Sequence, residues 1–179
     1  MTDHSHSDQI STLNTLIATT IDSITGYEDS ATNIDNERFR QIFRERANER
    51  QRVVEDLRAE VRRLGGNPED DGSVLAAAHR AFLTLRDKVT GSDDAAVIAE
   101  VDHGESYLNG KWEAALGDGG LSPETRSLIQ QQYDSVREGR DTWRRVHQNM
   151  SSAGSGSSGE QGGRAGRRAR FAVRSSCAG

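Results

Sequence analysis

Glu100 and His103 stand in the order Glu-x-x-His, a spacing that puts a carboxylate and an imidazole on one helix face where both can ligate a metal ion. Glu28, Glu49, Glu105 and Glu138 are the further glutamates on which a carboxylate-bridged metal pair could draw. Such a centre needs a Glu from each of two helices and Glu-x-x-His from each of two others, all turned inward at one height. Where a second Glu-x-x-His is required, the chain reads Glu49-Arg50-Gln51-Arg52 or Glu138-Gly139-Arg140-Asp141. A guanidinium keeps its proton and has no free lone pair, so it cannot ligate.

Height separates the acids further. Counted outward from a hairpin midpoint near residue 34 or 35, Glu49 lies opposite Thr20 and Glu28 opposite Gln41. That sets the two acids roughly 12 Å apart at 1.5 Å per residue, too far to share a metal pair. The inward stripes read Ile42, Arg46, Arg50, Val53 on one helix and Tyr133, Val136, Arg140, Trp143 on another, with Glu105 inward between Val101 and Leu108. Arg46, Arg50 and Arg140 facing Glu105, with Glu49 or Glu138 near, predict a polar layer satisfied by ion pairs. No catalytic or cofactor-binding residue and no resident cofactor is expected. A metal site drawing on Glu49, Glu100, His103, Glu105 and Glu138, with iron as cofactor, is the competing reading, and a single-metal site on Glu100 and His103 a lesser one.

Other chemistry-bearing residues have plainer readings. His4 and His6 lie in a polar leader and are expected to be solvated. His79, beside an apolar face, suits a hydrogen bond to a carbonyl or an acid, and His147 suits a helix C-terminal dipole. No Gly-rich phosphate loop follows a strand, and no local motif ties Ser, His and Asp together. The single cysteine, Cys177, makes no internal disulfide and excludes the usual thiolate zinc sites.

The elements that hold these residues follow from apolar spacing. Ile10, Leu13, Ile17, Ile21, Ile24 and Tyr27 recur at helical steps over about residues 8–31. A second helix follows Asp35, read as its N-cap, carries Phe39, Ile42, Phe43, Ala47, Val53, Val54, Leu57, Val61 and Leu64, and ends at Gly65-Gly66-Asn67-Pro68. A shorter third carries Val74, Leu75, Ala78, Phe82, Leu85 and Val89. The fourth, capped by Ser92 or Asp93, carries Val97, Val101, Leu108, Trp112 and Leu116; the fifth starts at Ser122-Pro123-Glu124 and runs through Leu128, Ile129, Tyr133, Val136, Trp143 and Val146. Short connections make antiparallel hairpins of the first and last pairs, and the third helix is long enough to carry the chain between bundle ends. The expected fold is all-α, a ferritin-like four-helix bundle of two hairpins with a shorter crossover helix; five helices in up-and-down order is the competing arrangement.

Composition suits amphipathic helices, with 33% apolar and 28% charged residues and only two prolines. Residues 151–179 carry five arginines against Glu160, a balance of +4; taken from the formal total of −5, this leaves −9 on residues 1–150. The bundle is thus a poor general binder of nucleic acid, whereas Arg164, Arg167, Arg168, Arg170 and Arg174 could make a weak polyanion contact. The Ser- and Gly-rich run after Met150 predicts disorder. The expected division is a disordered leader at 1–7, a bundle at 8–150 and a disordered tail at 151–179. No apolar run approaches the roughly 18 residues of a membrane span and no secretory signal opens the chain, so the cytoplasm is the expected compartment.

Several short pieces, in order, resemble a bacterial ferritin-like family with no assigned function. They are Leu13-Asn14-Thr15-Leu16-Ile17, Arg63-Leu64-Gly65-Gly66-Asn67-Pro68, Gly72-Ser73 with His79-Arg80, Thr90-Gly91-Ser92-Asp93, and Gly104-Glu105. The resemblance covers about residues 10–148. It implies the bundle fold and a distant relation to the di-iron carboxylate bundles, and it implies no activity. Where the family typically continues Gly104-Glu105 with a second acid, this chain has Ser106.

The expected function is therefore that of a non-catalytic helical module, of a stress or association kind, acting on an unknown protein partner or by self-association. The competing expectation is a di-metal carboxylate oxidoreductase or iron-handling protein.

Overall fold

A computed structural model describes residues 2–71 and 94–155, the side chains of 2–5 and 153–155 excepted. Four helices are formed: α1, Thr2–Asn33; α2, Glu37–Arg63; α3, Asp94–Gly117; and α4, Pro123–Ser155. They correspond to the first, second, fourth and fifth expected helices. The expected crossover helix, with His79, and the five tail arginines lie outside the described residues.

α1 packs along α2 and α3 along α4, while α1 also flanks α3 and α2 flanks α4. The α2–α3 and α1–α4 pairs therefore sit on the diagonals. Direction follows from the caps. The Asp94 carboxylate accepts the backbone N–H groups of Asp35 (2.9 Å) and Asn36 (3.2 Å), so α3 starts where α2 starts and the two run parallel. At the opposite end, Thr12 Oγ1 donates to Asp118 at 3.2 Å and the Ser122 N–H donates to Gln9 Oε1 at 3.0 Å. Among the described residues the outcome is two antiparallel hairpins, α1–α2 and α3–α4, packed side by side with α2 and α3 parallel.

Helix ends are set locally. Asn36, one residue beyond the expected Asp35, caps α2: its side chain accepts the N–H groups of Arg38 and Phe39. Gly65 adopts φ +81° after α2, and the Gly65 and Gly66 N–H groups return to Arg62 and Val61 carbonyls at 3.0 and 2.9 Å. This is the Schellman closure, which a left-handed glycine permits without a steric cost. The Asn14 amide then donates to the Asn67 carbonyl and accepts the Glu69 N–H, which ties two pieces of the family-like pattern together.

Two expected boundaries shift. α1 begins at Thr2, within the expected leader, and α4 reaches Ser155, past Met150. No Gly or Pro interrupts residues 2–7, and extending a formed helix adds a hydrogen bond per residue without a new nucleation cost. The same argument carries α4 through Ser151 and Ser152, whose hydroxyls bond back to His147 and Gln148 carbonyls.

The core is mainly aliphatic toward one end, where Leu13, Leu16, Ile17, Leu57, Leu108 and Ile129 are buried together with Trp112. Toward the α1–α2 turn it is aromatic. Phe43 and Trp143 ring centroids lie 4.8 Å apart, and the Trp143 indole N–H donates to the Tyr27 hydroxyl at 3.0 Å. A polar layer separates the two.

Candidate functional site

At mid-height Arg50 points inward from α2 and Glu105 from α3, with side chains 0% and 2% exposed. Arg50 Nη2 lies 3.1 Å from Glu105 Oε2 and also donates to the Val136 carbonyl at 3.4 Å. Ser23 Oγ donates to the other oxygen of Glu105 at 3.4 Å. Each side of this pair thus has a hydrogen-bond partner through Arg50 Nη2, while the buried Arg50 Nε and Nη1 make no hydrogen bond among the described residues. Arg50 Nη1 adds a 3.8 Å ion contact to Glu49 Oε1.

α4 contributes an absence. A Cβ built on Gly139 would fall 2.7 Å from Arg50 Nη2 and 2.9 Å from Glu105 Oε2, so the ion pair occupies the space of the missing side chain. Residue 139 is the buried one, and Arg140 turns instead toward the α3–α4 seam, where it pairs with Glu113 at 3.5 Å. Arg140 was expected in the inward layer. Positions 139 and 140 both satisfy helical spacing between Val136 and Trp143, and the bulkier guanidinium leaves the crowded interior to glycine.

Arg46 is half-buried on the flank of α2, because Phe43, Ala47 and Arg50 take the inward stripe. Its Nη1 bonds Glu49 Oε2 at 2.7 Å, and its Nη2 reaches Glu138 at 3.9 Å. Glu49 also accepts from the Ser135 hydroxyl of α4. Burial pushes the Glu49 carboxyl up, but the Ser135 hydroxyl and Arg46 outweigh it and hold it below the ordinary range. Arg46 is raised in turn: its burial opposes the charge, and Glu49 more than compensates.

Above the pair, burial pushes the Tyr27 phenol well above its ordinary range; the Glu105 carboxylate adds to the push and Arg50 opposes it. Sequence reasoning missed Ser23, Ser135 and Gly139 as parts of this layer. A glycine in a helix interior, set between two acid–base runs, is the signal that could have found the last.

The remaining metal candidates do not converge. Glu100 and His103 are exposed on α3, and Glu138 is 72% exposed on α4. His6 is exposed. His147 sits two turns inside α4 and contacts Asp102 of α3 at 2.9 Å, where a helix-terminal role was expected. Among the described residues no three of His, Cys, Asp and Glu gather as a metal-holding group. A carboxylate-bridged metal pair does not fit this interior: the inward carboxylate of Glu105 is bonded to Arg50, and that cation occupies the height where bridging ligands would meet.

A second polar cluster pins the far end of α2. Arg63 grips Glu60 with two bonds of 2.7 Å, and Thr125 Oγ1 donates to Glu60 at 2.7 Å. Ser122 caps α4 by accepting the Thr125 N–H at 3.2 Å.

Comparison with known proteins places residues 8–118 in the family described as Domain of unknown function (DUF2383). The chain belongs to that family. Among solved structures it is similar to a two-domain protein of Anabaena variabilis that contains DJ-1/ThiJ/PfpI-like and ferritin-like domains, with a TM-score of 0.64 and 15% identity over 91% of this chain. The chain spans 42% of that protein's length. It is also similar to a mutant Dps1 of Mycobacterium smegmatis, with a TM-score of 0.67 and 12% identity, covering 82% of this chain and 99% of that one. The fold is accordingly a ferritin-like all-α bundle. The curated proteins contain no match. Among the described residues no helix is long and apolar enough to cross a membrane.

Proposed function

We propose that this chain is a non-catalytic helical module of an association or stress kind, whose interior is closed by an ion-paired layer and whose function lies in its surfaces. The observation that carries this reading is the Arg50–Glu105 pair, which commits the inward carboxylate to a fixed cation. A buried pair of this sort costs desolvation, yet it disfavours other helix rotations, because any slip strands a charge in the core. Arg164, Arg167, Arg168, Arg170 and Arg174 would add a salt-sensitive contact for a polyanion. The compartment consistent with this reading is the cytoplasm.

Iron handling is the competing function, and the ferritin-like fold favours it. Elemental analysis of full-length protein purified from iron-supplemented cells separates the two. Substoichiometric iron, unchanged in Glu105→Ala, is the expected result. About two irons per chain, lost in Glu105→Ala, would overturn the proposal, since a di-iron bundle must hold that complement.

A further inference from the structure

The outward face of α3 carries Glu100, Gly104, Tyr107, Lys111 and Ala114 at alternating four- and three-residue steps, so they form one stripe along the helix. All five are exposed. Tyr107 is 50% exposed and is the large hydrophobic side chain most open to solvent among the described residues. Lys111 Nζ stands 5.2 Å from its ring centroid. Neither Lys111 nor Glu100 has an ion pair among the described residues. A Cβ on Gly104 would meet nothing within 4 Å among the described residues, so packing among them does not explain a residue that weakens helix interiors.

We propose that this stripe is a self-association surface, on which α3 packs antiparallel against α3 of a second copy of the chain. The inference rests on the reading that the module acts through its surfaces, and it names the partner. With a two-fold axis passing between Glu105 and Ser106, Glu100 faces Lys111 of the partner subunit and Tyr107 faces Gly104 of the partner subunit. The axis repeats both contacts, as an isologous interface demands. Tyr107 supplies a rigid aromatic anchor and Gly104 the space that receives it. A parallel pairing sets Glu100 against Glu100 and Lys111 against Lys111, so charge selects the antiparallel one.

Sedimentation of the full chain with charge-reversed variants tests this. Circular dichroism checks that each variant stays folded, which these exposed positions allow. Wild type is expected to dimerise at micromolar concentrations, and Glu100→Lys or Lys111→Glu alone to weaken the dimer by roughly tenfold or more through like-charge contacts. An equimolar mixture of the two single variants, or the double variant Glu100→Lys with Lys111→Glu, restores it. Protein that stays monomeric overturns the proposal and leaves the stripe to residues 72–93 or to a different protein. A dimer indifferent to both reversals overturns it equally, by placing the contact elsewhere. Neither result bears on the iron content that tests the non-catalytic reading.

Discussion

Arg50 on α2 and Glu105 on α3 meet at 3.1 Å across a diagonal of the bundle, with both side chains buried. Diagonal helices in a bundle scarcely touch, so this pair joins elements that the apolar seams hold only through their neighbours. It also fixes the relative height of two parallel helices. A slip of either helix would leave a charge unpaired in the core, which is far costlier than a misplaced methyl group.

Gly139→Ala tests the space that the pair requires. Alanine is worth about 1 kcal/mol over glycine in a helix interior, but its Cβ would lie 2.7 Å from Arg50 Nη2. Arg50 is fully buried and bonded to both Glu105 and Val136, so crowding outweighs the helix gain. Chemical denaturation is expected to show a net loss of about 1–2 kcal/mol. In an Arg50→Met, Glu105→Leu background the clash with those two polar groups is gone, and the same change should become neutral or stabilising. A stabilised Gly139→Ala in the wild-type background would mean that the interior has more room than the structure gives it.

The Glu60 cluster makes stability depend on pH. Arg63 holds the Glu60 carboxyl below its ordinary range; burial opposes this and the Thr125 hydroxyl adds to it. A carboxyl depressed in the folded state binds protons more readily when unfolded. Its stabilisation is therefore present above the ordinary glutamate value and lost as pH falls through the folded value. Glu49, also depressed, has the same sign. The unfolding midpoint is expected to drop between about pH 5 and about pH 3, and Glu60→Gln to flatten that slope. An identical slope in Glu60→Gln would show that other carboxylates set it.

Asp94→Ala removes the carboxylate that accepts the Asp35 and Asn36 N–H groups. The contact is partly open to water, so a loss of about 1 kcal/mol is expected. Hydrogen exchange of the Asp35 and Asn36 amides should accelerate most. Unchanged exchange at both would show that α3 does not begin against the α1–α2 turn.

Much of this architecture was legible because periodicity and punctuation agree. The apolar steps of Leu13, Ile17 and Ile24 give α1 its buried face, and the Gly65-Gly66 pair marks where α2 stops. Arg50 and Glu105 were legible as inward charges because each interrupts an apolar stripe. The choice between Gly139 and Arg140 was not: both fall within one helical turn of Val136 and Trp143, and only the rotation of α4 against its neighbours selects one. Arg46 was placed inward on the same ambiguity, which Phe43 and Ala47 resolve by taking the core positions. Helix ends at Thr2 and Ser155 were illegible for another reason, since short polar stretches without Pro neither require nor prevent continued winding.

A double-mutant cycle on Arg50 and Glu105, read by denaturant unfolding, tests most directly whether the interior is closed by a structural ion pair. Glu105→Leu alone, or Arg50→Met alone, should cost about 3 kcal/mol or more, because each leaves the other charge buried and unpaired. The double variant should return close to wild-type stability, since apolar groups of similar volume replace a pair whose net contribution is small. Single changes costing less than about 0.5 kcal/mol, the scale of solvent-exposed pairs, or a double variant as unstable as the sum of the two, would contradict a buried Arg50–Glu105 pair at the centre of this bundle.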